Sequence, residues 1–329
     1  MPPEFLTLDR DERIAILDYA ASQLSYPAAI VEKDIWVCWA LNKLFAMPNR
    51  LKMAFKGGTS LSKAFGVISR FSEDVDITFD LSNFDSDTKP LQQRSKTQIG
   101  KLTTKVRHAV KEHVQNVVLP YFQSLNQCTV EIDANDDATL WLTCESATDR
   151  LAYVNPSIKL EFGGRNTTEP FEEIEIRAYA SNLTYTDELL FPIATVPVLS
   201  IERTFWEKIT LLHDESRREI FSKNANRKAR HWSDVVMLAR HPSFENWCQA
   251  QAIRDSVIEI KSVLYGAKHS NYEACRTQNF QLLPTGGNFE LLESDYDEML
   301  RAGMFGSTVI SFKEIVEGIQ HVQNRLNSM

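Results

Sequence analysis

Between residues 9 and 24 the apolar positions Ile14, Ile16, Leu17 and Ala21 recur at helical spacing, which predicts a helix opened by Asp9. After Pro27 a second helical run carries Ile30, Ile35, Trp36, Trp39, Leu41 and Leu44, with the charged triplet Glu32-Lys33-Asp34 near its start. The pattern then shortens. Residues 51–55 and 75–79 read as strands, with a Gly57-Gly58 turn and a short helix over 61–65 between them. A long helix is predicted over 97–118, followed by strands at Cys128–Ile132, Thr139–Cys144, 157–162 and 174–179. Pro192 and Pro197 interrupt the chain, and residues 201–213, 232–239, 247–263 and 312–326 return to helical periodicity. Strands flanked by helices in this mixture indicate an α+β fold.

The chain has 329 residues, enough for two domains, and the shift to helical patterning divides it into 1–196 and a helical C-terminal domain, 197–329. At 43% hydrophobic and 24% charged residues it has the composition of a folded globular protein, not of a disordered or low-complexity one. Cys38, Cys128, Cys144, Cys248 and Cys275 are far apart and odd in number, which predicts reduced thiols rather than a disulfide framework or zinc ribbon. The acidic N-terminus does not resemble a signal peptide, and no apolar stretch approaches the roughly 18 residues of a membrane span, so the expected location is the cytoplasm. A formal charge of −8 argues against a protein that coats nucleic acid over its whole surface. Between residues 88 and 111, however, there are seven basic side chains and no acid, which leaves room for one positive surface.

No dinucleotide-binding, Walker, zincin or nucleophile-elbow motif occurs in the chain. What stands out is Lys56-Gly57-Gly58-Thr59-Ser60 followed by Asp74-Val75-Asp76. Glycines let backbone N–H groups approach an anion, and the helix start that follows adds dipole and hydroxyls for phosphate oxygens. Asp74 and Asp76, two apart on a strand, project from one face, and two hard oxygen ligands suit Mg²⁺ or Mn²⁺ beside a triphosphate. Asp80 shares that face but lies roughly 13 Å further along a strand, outside such a site.

In this order the two motifs resemble the signature of polymerase-β-like nucleotidyltransferases, and GGTSLSKAFGVISRFSEDVDI is similar to the AbiEii/AbiGii-type toxins among them. PAAIVEKDIW (27–36), KLEFGGR (159–165), ERTFWEKITLLH (202–213), RHWSD (230–234) and SDYDEMLRAGMF (294–305) extend the resemblance over most of the chain. It implies a polymerase-β-like core with a mixed sheet, N-terminal helices and a helical C-terminal domain, acting with Mg²⁺ or Mn²⁺ on an NTP. Gly57, Gly58, Thr59, Ser60 and Lys208 would bind the nucleotide, and Asp74, Asp76 and Glu161 the metal. Asp234 would act near Lys208. Each assignment has a plainer alternative: an ion pair of Glu161 with Arg165 or Arg177, a snorkelling Lys208, a helix-capping Asp234. Lys208 falls about 60° from the centre of the arc formed by Ile201, Phe205, Ile209 and Leu212, beside the buried stripe. Lys33 and Arg217 are weaker candidates, and His213 reads as a core histidine.

The implied activity is transfer of a nucleoside monophosphate to an acceptor hydroxyl by the toxin of a bacterial toxin–antitoxin or phage-defence system. The acceptor expected by analogy is RNA, in particular a tRNA 3′ end, contacted by Lys89, Arg94, Lys96, Lys101, Lys105 and Lys111. A cognate antitoxin is an implied partner; a membrane is not. Nucleotidylation of a protein or small molecule, or nucleotide binding without turnover, remain alternatives.

Overall fold

The computed structural model describes residues 3–72, 74–149, 155, 157–183, 188–221, 227–302, 304–305 and 309–329. The chain forms two compact units, one of Met1–Phe65, Phe71–Ser86 and Thr104–Leu199, the other of Gly66–Arg70, Asp87–Thr103 and Ser200–Met329. The two short stretches that group with the C-terminal residues are not provided for by a single division at 196/197.

The first unit is built on a seven-stranded mixed sheet, among the described residues: β1 (Met53–Lys56), β2 (Asp74–Asp80), β3 (Cys128–Ile132), β4 (Thr139–Cys144), β5 (Ile158–Asn166), β6 (Phe171–Arg177) and β7 (Ile193–Leu199). Their order is β3-β4-β5-β2-β1-β7-β6, with β2–β5 and β1–β7 parallel and the other pairs antiparallel. Helices α1 (Arg10–Leu24), α2 (Ala28–Ala46) and α3 (Gly57–Lys63) precede β2, and α4 (Lys96–His113) and α5 (Leu119–Ser124) precede β3. Asp9 and Glu12 start α1 with a reciprocal capping box.

Strict alternation on β5 buries Ile158, Leu160 and Phe162 and leaves Lys159, Glu161 and Arg165 partly exposed. The apolar face stacks Phe79 on Phe162 and brings Phe79 against His113 of α4, while Trp39 of α2 meets Phe122 of α5. Along α4 and α5 the buried Val106, Val110, Val114, Val118 and Phe122 repeat every four residues. An ordinary helix would drift by about 40° per repeat, and the wider π-helical turn at Val114–Val118 absorbs part of that drift. A Cβ on Gly164 would stand 2.6 Å from Val110, so glycine permits the close approach of β5 and α4.

Two expectations fail here. Pro197 does not end the regular structure but lies within β7, opposite Glu173 of β6; β7 registers with β1 only at Phe55–Val198, which lessens the cost of a missing N–H. Cys128 and Cys144 are not free thiols: the β3–β4 hairpin makes them directly opposed partners, 4.2 Å apart at Cα, joined by a disulfide. Cys38, Cys248 and Cys275 are free and buried.

The second unit contains α6 (Ile201–Ser216), α7 (Ala229–Ala239), α8 (Phe244–Gln249), α9 (Gln251–Leu264), α10 (Tyr272–Arg276), α11 (Gly287–Arg301) and α12 (Phe312–Asn327). The helix expected over 247–263 is divided at Ala250. Trp206 and Trp232 are buried, and each donates its indole N–H to a carbonyl, of Trp247 and Leu282 respectively. No helix among the described residues is long and apolar enough to cross a membrane.

Candidate active site

Parallel pairing of β2 with β5 sets Asp74 opposite Lys159 and Asp76 opposite Glu161, and antiparallel pairing with β1 sets Lys56 opposite Asp76. Because paired residues share a face, Asp74, Asp76 and Glu161 lie on the same, partly exposed side of two adjacent strands while Val75, Ile77 and Leu160 are buried. The glycine turn reaches this face. No separate turn precedes the helix, since α3 begins at Gly57, whose φ of +82° is strained for any other residue. A Cβ there would lie 2.1 Å from Asp76 Oδ2, so the carboxylate rests against the glycine backbone.

Thr59 and Ser60 behave differently from expectation. Both are buried; the Thr59 hydroxyl donates to the Asp74 carbonyl and the Ser60 hydroxyl to the Gly57 carbonyl, at 2.9 Å. Their side chains brace the turn internally, and the donors α3 can offer an anion are backbone N–H groups of its first turn, which has no capping side chain.

Glu161 is engaged by Lys159, two residues earlier on the same face. Burial works against the Lys159 charge, but the hydrogen bond to Glu161 and the charges of Glu161, Asp74 and Asp133 outweigh it and raise its pKa. Asp74 and Asp76, hard oxygen donors on one face, fit a divalent ion such as Mg²⁺ or Mn²⁺. Among the described residues no three acidic, His or Cys side chains gather into a ready-made metal cage, consistent with Glu161 being turned to Lys159. Asp80 is structural: it accepts from the N–H groups of Ser82 and Thr168 and the Thr168 hydroxyl. Burial alone would raise its pKa, yet these donors hold it well below the usual carboxylate range.

In the second unit, Asp234 is fully buried between two cations. Arg70 grips it bidentately, Nε to Oδ1 at 2.7 Å and Nη2 to Oδ2 at 2.8 Å, and Lys208 Nζ lies 2.8 Å from Oδ2. Desolvation opposes the Asp234 charge, but Arg70 and Lys208 hold the carboxyl ionised, far below its ordinary pKa. The same burial lowers the pKa of Lys208, with Asp234 partly compensating. Asp234 is therefore no helix cap; α7 starts five residues earlier, at Ala229, whose N–H donates to Asp295 of α11 at 2.7 Å. Lys208 does not snorkel; it is buried and paired. His231, beside this group, is pushed well below its ordinary pKa by burial and by Lys208 and Arg230, which leaves a neutral ring at pH 7.

The remaining predicted residues divide by environment. Lys89, Lys96, Lys101 and Lys105 are exposed. Arg94 instead closes its own loop by donating to the Lys89 and Asp87 carbonyls, and Lys111 pairs with Asp137. Arg217 donates to the His269 carbonyl, and His213 accepts from the Gln281 N–H inside the helical core. Sequence reasoning missed Arg70 and Lys159. Alternation on β5 was a usable signal for Lys159; nothing local marks Arg70 as the partner of a residue 164 positions away.

The family described as "Nucleotidyl transferase AbiEii toxin, Type IV TA system" matches residues 39–318. No curated protein sequence matches the chain. Among solved structures, the MenT4 nucleotidyltransferase toxin of Mycobacterium tuberculosis H37Rv is similar at 16% identity and a TM-score of 0.47, over 98% of this chain and 99% of that one.

Proposed function

Given that the chain belongs to the AbiEii family of nucleotidyltransferase toxins from type IV toxin–antitoxin systems, we propose that it transfers a nucleoside monophosphate from an NTP to a hydroxyl of RNA, in particular a tRNA 3′ end. The observation that supports this most is the Asp76 carboxylate resting on Gly57 in register with Glu161. Backbone N–H groups at Gly57, Gly58, Thr59 and Ser60 hold the phosphates. Asp74 and Asp76 would hold Mg²⁺ or Mn²⁺, with Glu161 as a third carboxylate on the same face. Bound there, a divalent ion would supply charge neutralisation at the phosphates. The acceptor oxygen attacks the α-phosphorus, the bond to the bridging oxygen of the β-phosphate breaks, pyrophosphate leaves, and the hydroxyl proton passes to Glu161. In the second unit Asp234 fixes the Lys208 ammonium, and the family resemblance assigns that lysine to the charge of the nucleotide phosphates. We place this reaction in the cytoplasm.

Incubating the protein with Mg²⁺, total cellular RNA and protein, and each of the four α-labelled NTPs in turn tests the reading. Label in RNA is the expected result. Label in protein selects protein nucleotidylation, and tight NTP binding with no label in any acceptor selects a non-catalytic role. On the exposed face of α4, Lys101→Glu with Lys105→Glu is expected to weaken RNA binding and reduce the slope of log affinity against log salt by about 1.5. NTP affinity should not change. An unaltered slope in a filter-binding titration removes this face from the RNA site.

A further inference from the structure

Glu32, Lys33 and Asp34 lie near the start of α2, where a run of three charges would ordinarily face water. All three are buried, at 2%, 5% and 1% exposure. Consecutive helical residues point about 100° apart and cannot share a partner surface, and each of these three grips a different part of the first unit.

Asp34 forms an ion pair with Lys63, the last residue of α3, and accepts the Tyr179 N–H at 2.7 Å; the Lys63 ammonium also lies 4.1 Å from the Tyr179 ring. Burial works against the Lys63 charge, but Asp34, together with Cys38 and Tyr179, outweighs it and holds the ammonium above its ordinary pKa. Glu32 accepts from the Ala147 N–H at 2.7 Å, the Thr148 N–H at 3.1 Å and the hydroxyls of Ser146 and Thr148 at 2.7 Å, directly after β4. Lys33 donates to the Asn155 carbonyl, three residues before β5 begins. The triplet thus touches α3, the end of β4 and the approach to β5.

A helix of two turns is marginal by itself, so its placement comes from tertiary contacts. At one end α3 is tied to β2 through the Thr59 hydroxyl and the Asp74 carbonyl; at the other it is tied to α2 through Lys63 and Asp34. We propose that Asp34 and Lys63 are positioning residues, which hold α3 so that the Gly57 backbone meets Asp76 in the geometry that binds the nucleotide. The proposal rests on the assignment of this turn to nucleotide binding. A buried ion pair is often no more stabilising than an apolar pair of similar size, whereas its geometry restricts where the two helices sit.

The test compares wild type with the double variant Asp34→Asn, Lys63→Met, which removes both charges together, and with Asp34→Glu, which keeps them but lengthens the link by one methylene. Affinity for each of the four NTPs with Mg²⁺ is measured by equilibrium titration, KM and kcat by label transfer, and folding by circular dichroism. Both variants are expected to fold, to bind the preferred NTP at least tenfold (double variant) or threefold (Asp34→Glu) more weakly, and to raise KM more than they lower kcat. A purely structural pair would shift the melting temperature and leave affinity per folded molecule unchanged. If the double variant does not fold, Asp34→Glu alone decides. Wild-type affinity in a folded variant overturns the positioning role and leaves the nucleotide site standing. Failure of the wild type to bind any NTP overturns both.

Discussion

Asp76→Asn is expected to lower nucleotide transfer by about 100- to 1000-fold while the circular dichroism spectrum and melting temperature stay close to those of the wild type. The substitution keeps the shape that packs against Gly57, where there is no room for a larger group. It removes the negative charge and one strong oxygen donor, which is what a divalent ion requires. Asp74→Asn should behave alike, because Asp74 lies two residues earlier on the same face of β2 and its backbone, not its carboxylate, anchors Thr59. Turnover of labelled NTP measured beside the folding readouts separates loss of chemistry from loss of structure. Near-normal turnover in either folded variant contradicts the assignment.

Asp234→Ala should have the largest effect on stability. It leaves the Arg70 guanidinium and the Lys208 ammonium buried without their carboxylate, a change of about 3–5 kcal/mol. Urea unfolding should show it as a lower midpoint with little change in slope. The pH dependence follows from the sign of the shift. Asp234 titrates below its unfolded value of about 3.9, so its contribution is complete above about pH 4 and is lost as the pH falls through the folded pKa. The gap between wild type and Asp234→Ala should therefore be constant from about pH 5 to 7 and close in acid. A gap that is negligible at pH 7 contradicts the clamp.

Which parts of this arrangement are readable in advance depends on the range of the interaction. The Asp74–Asp76 face follows from alternation on one strand, and α1 from the helical spacing of Ile14, Ile16, Leu17 and Ala21. The apolar arc of α6 put Lys208 beside the buried stripe but left snorkelling open, and the structure buries it. Long-range register was not readable: the Cys128–Cys144 pairing, the Arg70 clamp on Asp234 and the inclusion of Pro197 in β7 depend on which segments become neighbours. The hydroxyls of Thr59 and Ser60 show the same limit from the other side. Their residue types suit phosphate binding, but a helix that starts directly at Gly57 turns both inward. Lys159 was accessible in principle, since β5 alternates over its whole length and puts it beside Glu161.

The central claim is that Asp74 and Asp76 hold the divalent ion against the Gly57 turn. A crystal structure with Mn²⁺ and a non-hydrolysable analogue of the preferred NTP, with manganese located by anomalous scattering, tests it most directly. The predicted result is manganese ligated by both aspartates and by phosphate oxygens, with other phosphate oxygens hydrogen-bonded to backbone N–H groups at the start of α3. A bound nucleotide whose manganese touches neither aspartate would contradict it.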